Sequence, residues 1–148
     1  MNSPHLPRYF NVSGPCVPGE HYMLPAAERL PEARRLAEAK QYFVIHAARQ
    51  SGKTTLIQTL ADDINADGRF HALYCSLEAL QGVEDMAVGM ESAVTALRLS
   101  LGVSPAEALR RQKDSLGDLT GYGSTAIVTL ALSNLCRTLD KPLALFFD

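Results

Sequence analysis

Residues 42–58, YFVIHAARQSGKTTLIQ, place an apolar run, a short polar loop and a helix-forming segment in direct succession. The run Tyr42–His46 is rich in aromatic and β-branched residues, which predicts a strand. The helix is predicted to extend from Thr54 to about Ala66. A strand, a loop ending in Gly-Lys-Thr and then a helix is the context that a phosphate-binding loop requires.

The loop carries the groups that polyphosphate binding needs. Backbone N–H groups from about Gln50 to Thr55 are predicted to surround the phosphates. Lys53 is expected to bridge the β- and γ-phosphates, and the Thr54 hydroxyl to ligate Mg²⁺. The residues predicted to bind nucleotide are Ala47, Gln50, Ser51, Gly52, Lys53, Thr54 and Thr55.

Ala47 departs from the pattern G-x-x-x-x-G-K-[ST], which has Gly at this position. Glycine is required only where φ is positive or where a Cβ would clash. Alanine is therefore compatible with the loop if its φ is negative.

The first 25 residues are dense in proline, which excludes a regular helix or a central strand. We expect an extended arm whose apolar side chains, among them Tyr9, Phe10 and Tyr22, pack on the domain formed by residues 26–148. A helix is predicted from Pro31 to Gln41 because proline favours the first helical turn.

The remainder of the chain alternates between strand and helix patterns. Strands are predicted at 70–76 and 143–148, and helices at 84–102, from a capping box at 104–107 to about residue 116, and at 125–139. Strands alternating with helices indicate an α/β fold with a parallel sheet covered by helices. Loops that follow such strands lie at one edge of the sheet, where ligands bind.

Asp148 ends the apolar run LALFF. In phosphate-binding-loop proteins, a carboxylate at the end of such a strand lies beside Mg²⁺. Asp148 is therefore predicted to be a metal ligand together with Thr54, and Lys53 and Asp148 are the predicted catalytic residues.

Composition limits the partners that we expect. The net charge is −2 and basic residues do not cluster, so no broad attraction to nucleic acid or an anionic membrane is expected. Three widely separated cysteines without zinc spacing, and no signal peptide, indicate a cytoplasmic location. No apolar run reaches the roughly 20 residues of a membrane span.

The chain resembles the N-terminal part of a bacterial AAA-like ATPase, in the set of AAA+ and STAND-type P-loop ATPases. The segments that carry the resemblance are FNVSGP (10–15), YMLP (22–25), LPEARRLAEAKQ (30–41), YFVIHAARQSGKTT (42–55) and KPLALFFD (141–148). The resemblance implies a three-layer, RecA-like fold of the additional-strand class that binds ATP and Mg²⁺. It also implies a sheet order of 5-1-4-3-2 and accommodates Ala47.

In that family a glutamate, a sensor strand, an arginine finger and a helical lid follow the position of Asp148. We therefore expect the chain to be a fragment whose partners are nucleotide, the rest of its own domain and a further copy or another protein. Three alternatives stay open: a module that binds nucleotide without hydrolysis, a small-molecule kinase using Arg110 and Arg111, and a helical interaction domain with a chance loop match.

Overall fold

The computed structural model describes residues 7–14, 16–17, 19–24, 26–29, 31–48 and 51–148. The chain divides into two compact units, an N-terminal unit of residues 1–60 and a C-terminal unit of residues 61–148. The boundary between the two units falls within a helix, at Leu60.

The N-terminal unit contains helices α1 (Ala26–Arg29) and α2 (Pro31–Glu38) and the first half of α3 (Lys53–Asp67). Helix α2 begins at Pro31, as predicted, because proline fixes φ and lacks an N–H that the first turn would leave unused. It ends three residues before the predicted boundary. Lys40 adopts a positive φ of 57°, and the Gln41 N–H then bonds the Leu36 carbonyl at 3.0 Å, a geometry that closes a helix.

The proline-rich segment folds on itself. The rings of Tyr9 and His21 meet edge to face with centroids 4.7 Å apart, and those of Phe10 and Tyr22 are 4.9 Å apart. Phe10 is 79% exposed and Tyr22 54% exposed. These rings therefore pack on each other and stay largely exposed. That the segment packs on the domain formed by residues 26–148 stays a prediction. The predictions for residues 1–6, Pro15, Pro18 and Pro25 fall outside the described part of the chain.

The predicted strand Tyr42–His46 is not formed. Residues 41–48 have no regular secondary structure, and Tyr42 and Val44 are exposed. β-Branched and aromatic content favours a strand only where a neighbouring strand takes up the backbone hydrogen bonds and the side chains pack. The sheet among the described residues has two strands, and this segment is neither of them.

Most elements of the C-terminal unit agree with the predicted pattern. It contains β1 (His71–Cys75), a 3₁₀ turn (Glu78–Leu80), α4 (Met86–Val103), α5 (Glu107–Arg110), α6 (Ser124–Thr138) and β2 (Leu143–Phe147). The Asp85 carboxylate begins α4 by accepting hydrogen bonds from the N–H groups of Ala87 and Val88, the usual role of an N-cap.

The helix predicted to open at the capping box is much shorter than expected. It spans four residues, Glu107–Arg110, and turns follow to residue 116. The Ser104 hydroxyl accepts from the Ala106 N–H rather than from the third residue of a helix. Arg110 donates to the carbonyls of Ser104 and Pro105, which ties the short helix back to its own start.

Strands β1 and β2 form a parallel pair in which His71 lies opposite Leu143 and Cys75 opposite Phe147. The pairing continues past both strands, since the Asp148 N–H donates to the Cys75 carbonyl at 3.1 Å and the Leu77 N–H to the Asp148 carbonyl at 2.8 Å. The protein is thus a mixed α/β structure with a small two-stranded parallel sheet flanked by helices.

Asn65, near the end of α3, lies beside the outer edge of β1. Its side-chain amide donates to the Ala72 carbonyl at 2.8 Å and accepts from the Ala72 N–H at 2.9 Å. One side chain therefore satisfies both backbone groups that Ala72 directs away from β2.

The core of the C-terminal unit is aliphatic. Helix α4 packs against α6 and β1, and the buried cluster comprises Leu73, Cys75, Val94, Ala96, Leu97, Leu101, Leu109, Leu116, Ile127, Ala131 and Leu135. Helix α4 is long and apolar enough to span a membrane by length and composition alone. Four of its residues, Val94, Ala96, Leu97 and Leu101, belong to this cluster.

Candidate functional site

The predicted phosphate loop ends at a left-handed glycine. Gly52 has φ +80°, a conformation that side-chain-bearing residues rarely adopt. Lys53 is the first residue of the 15-residue helix α3, and the Leu56 N–H already bonds the Gly52 carbonyl at 3.0 Å. The N–H groups of the first turn and the positive end of the helix dipole therefore point out of α3 at this loop.

The Lys53 side chain closes the loop. Its ammonium donates to the carbonyls of Ala47 at 3.0 Å and Ala48 at 3.2 Å. Lys40 is the single non-glycine residue with positive φ in the described ranges, so Ala47 has the negative φ that an alanine requires. Ala47 therefore participates in the loop through its carbonyl group, without the conformation that glycine alone would allow.

Arg29, the last residue of α1, contacts the loop. Its Nη2 donates to the Ser51 carbonyl at 2.8 Å. A Cβ on Gly52 would lie 3.3 Å from Arg29 Nη1, a closer approach than most Cβ atoms have. The sequence analysis did not identify Arg29, because no local pattern relates it to a loop 22 residues further along the chain.

Two hydroxyl groups of the loop have contrasting surroundings. The Thr55 Oγ1 accepts a hydrogen bond from the Cys16 N–H at 3.1 Å, which connects the proline-rich segment to α3. The Ser51 Oγ is buried and has no hydrogen-bond partner among the described residues. A buried hydroxyl without a partner costs roughly 1–3 kcal/mol, a cost that a bound oxyanion would relieve. Gln50, predicted to bind nucleotide, lies outside the described residues.

Asp148 directly follows β2 and contacts Tyr74 of β1. The Tyr74 hydroxyl donates to the Asp148 carboxylate at 3.2 Å. Tyr74 lies opposite Phe146, and residues two apart on a strand share a face, so the long tyrosine side chain reaches Asp148 diagonally. Burial and the negative charge of Asp148 raise the pKa of the Tyr74 phenol. Tyr74 is the second site residue that sequence reasoning did not identify.

The predicted site residues are divided between the two units. The N-terminal unit contains Ala47, Ser51, Gly52, Lys53, Thr54 and Thr55, and the C-terminal unit contains Asp148. In the described part of the chain, no three His, Cys, Asp or Glu side chains are grouped so as to hold a metal ion. A magnesium ion bound mainly by phosphate oxygens and water needs only one or two protein oxygens.

The C-terminal unit also has an open cavity of about 480 Å³ between α4, α6 and the loop that precedes α6. Arg98 lines it together with two carboxylates, those of Glu91 and Asp118, above an apolar floor of Val94 and Ile127. The Asp118 carboxylate accepts hydrogen bonds from Thr120, which lower its pKa. Both signs of charge occur here, so the lining does not favour one class of ligand.

Comparison of the chain with protein-family models, curated proteins and solved structures found no match in any of the three.

Proposed function

We propose that the chain is the ATP-binding module of an AAA-like P-loop ATPase and that residues 47–55 hold the phosphates of the nucleotide. The observation that carries the proposal is the conformation at the start of α3, where a left-handed glycine directly precedes a lysine at the first helical position. Backbone N–H groups in such a turn form a concave site for anions, and the helix dipole adds positive potential.

The side chains of the loop support the same proposal. Lys53 is held by two carbonyl groups of its own loop, so its ammonium is kept at the loop rather than extended into solvent. The buried Ser51 hydroxyl lacks a partner among the described residues, as expected of a site whose ligand is an oxyanion. Lys53 would bind phosphate oxygens as a charged donor, and the amides of Gly52 to Thr55 would orient them.

Magnesium fits the donors that the chain offers. When bound, Mg²⁺ would neutralise phosphate charge, and Thr54 and Asp148 are the residues proposed to hold it. Tyr74 holds one oxygen of the Asp148 carboxylate, which limits the orientations of that side chain. The additional-strand fold is part of the proposal: the parallel pairing of residues 71–75 with 143–147 agrees with the neighbouring second and third strands of the order 5-1-4-3-2.

Nucleotide titration by calorimetry tests the proposal. The chain should bind Mg-ATP, and Lys53→Ala should weaken binding by about 10- to 100-fold, the value of one charge-assisted hydrogen bond. Lys113→Ala, which removes the same charge from an exposed turn, is the matched control. Equal and negligible affinity in folded samples of the chain and of Lys53→Ala would refute nucleotide binding.

Phosphate release separates an ATPase from a module that only binds. Turnover that is abolished by Thr54→Ala and Asp148→Asn would support hydrolysis by this chain. Thermal stabilisation by Mg-ATP without phosphate release would instead identify a binding module, because a ligand that binds only the folded state raises stability without chemistry.

A further inference from the structure

The contact between Arg29 and the loop determines the orientation of one particular peptide group. Arg29 Nη2 donates to the carbonyl of Ser51, and that carbonyl shares its peptide plane with the Gly52 N–H. In a trans peptide the C=O and N–H point in opposite directions. The Gly52 N–H therefore points away from Arg29.

Glycine at position 52 permits this orientation of the Ser51–Gly52 peptide but does not fix it. Without a Cβ, Gly52 adopts φ +80° and admits Arg29 at close range. The same freedom allows the Ser51–Gly52 peptide to rotate, because glycine populates positive and negative φ with similar ease. A guanidinium bound to the Ser51 carbonyl opposes that rotation with a charge-assisted hydrogen bond.

The charge on Arg29 is not neutralised by a carboxylate of the described residues. Four other arginines pair with acidic side chains, Arg34 with Glu38, Arg35 with Glu32, Arg69 with Asp67 and Arg111 with Glu107. Arg29 instead has the Ser51 carbonyl as its partner in the described part of the chain. The full cation thus polarises this peptide group and makes the Gly52 N–H a stronger donor.

We propose that Arg29 is a positioning residue of the phosphate loop: it holds the Ser51–Gly52 peptide with its N–H directed at the bound phosphate, and does not itself touch the ligand. The inference rests on the proposed function of the loop. It adds α1 to the binding site and assigns a role to a residue outside the loop sequence.

Calorimetric titrations with Mg-ATP, ADP and pyrophosphate, each at several salt concentrations, test the proposal. Arg29→Ala should weaken binding of all three about tenfold, without changing the dependence of affinity on salt, because no phosphate-contacting charge is lost. Arg29→Gln, which keeps an uncharged amide NH₂ donor group, should restore part of the affinity. Arg35→Ala removes an equal charge from α2, where Arg35 pairs with Glu32, and should bind like the unmodified chain.

The amide resonance of Gly52 in ¹H–¹⁵N spectra gives an independent readout that a general loss of stability does not imitate. It should move downfield on addition of pyrophosphate to the unmodified chain and not in folded Arg29→Ala. A loss of affinity that grows with the number of phosphates and flattens the salt dependence would mean direct phosphate contact and would overturn the positioning role.

The two proposals fail in different ways. If Lys53→Ala loses affinity while Arg29→Ala keeps both its affinity and the Gly52 shift, only the role of Arg29 is wrong. If the unmodified chain binds none of the three probes, the proposed function is wrong and the role of Arg29 with it.

Discussion

The predicted phosphate loop and the C-terminal unit are held by different kinds of interaction. Around the loop the contacts are directional and polar: an arginine and a lysine bind backbone carbonyls, and one backbone N–H binds the Thr55 hydroxyl. In the C-terminal unit the contacts are aliphatic, with Leu97 and Leu101 fully buried in a cluster of like side chains.

The two kinds of interaction meet two different requirements, stability of the fold and fixed orientation of polar groups. Burial of apolar area is non-directional and supplies most of the free energy of folding. Hydrogen bonds contribute less net free energy but fix orientation, which a site for an anion needs. We therefore expect substitutions in the aliphatic cluster to change stability most and substitutions at the loop to change binding most.

The largest effect on stability is expected for Leu97→Ala. Leu97 is fully buried on α4, and removing such a side chain costs about 2–5 kcal/mol through lost burial and an unfilled cavity. Leu99→Ala, on the same helix but with Leu99 65% exposed, should change the free energy of unfolding by less than about 0.5 kcal/mol. Urea unfolding followed by circular dichroism measures both values.

Hydrogen exchange of Leu97→Ala sharpens the comparison between the two units. Protection of amides in α4 and α6 should fall, and protection of amides in α2 should change less. An equal loss in α2 would mean that the units unfold as one and that the contrast drawn above does not hold.

An intermediate effect is expected for Gly117→Ala. Gly117 has φ +81°, and a Cβ there would lie 2.6 Å from Asn134 Nδ2, which donates to the Leu116 carbonyl. Strain in the backbone and displacement of this hydrogen bond should together cost about 2–3 kcal/mol.

Gly121→Ala is the matched control for Gly117→Ala. Gly121 has φ +83° but no neighbouring atoms within 4 Å of an added Cβ, so it measures the backbone strain alone. Equal melting temperatures of the two variants would contradict a role for Asn134 in holding the loop before α6.

The smallest effect is expected for Tyr74→Phe, which removes only the hydroxyl that contacts Asp148. Because this contact is exposed, the loss at neutral pH should be about 0.5 kcal/mol, at the low end for a hydrogen bond. The raised pKa of Tyr74 contributes stability that is fully present below its ordinary pKa of 10.0. That contribution is lost as pH rises above this value, because the unfolded chain gives up its proton first.

Urea unfolding at pH 8 and pH 10.5 measures the predicted pH dependence. The difference in stability between the unmodified chain and Tyr74→Phe should shrink at the higher pH. Tyr122→Phe, at an exposed tyrosine of the loop before α6, is the control. A difference that is constant with pH would mean that Tyr74 titrates as it does in the unfolded chain.

Sequence reasoning succeeded where structure follows from a local pattern. Helices α3, α4 and α6 and both strands of the sheet were predicted within two residues, because their apolar periodicity and end signals lie within each segment. It failed for residues 42–46, because a strand also depends on a partner that the segment itself does not specify. The prediction of a long helix after Ser104 failed because a cap favours the start of a helix and does not determine its length.

The residues of the candidate site also divide into those with a local sequence pattern and those that depend on distant partners. The glycine and lysine of the loop follow from their order in the sequence, and the left-handed Gly52 before the first residue of α3 agrees with that pattern. Arg29 and Tyr74 could not be predicted, since their partners lie 22 and 74 residues away. Contacts over such separations depend on the folded arrangement and leave no signature in a single sequence.

The two hydrogen bonds between Asn65 and Ala72 have a consequence for the addition of further strands to the sheet. A sheet extends by adding a strand to an edge with free N–H and C=O groups, which is also how unrelated chains aggregate. At Ala72 an incoming strand would have to displace two hydrogen bonds before forming its own. Growth of this sheet is therefore disfavoured beside β1 at Ala72, so that one asparagine protects an edge that the backbone alone would leave open.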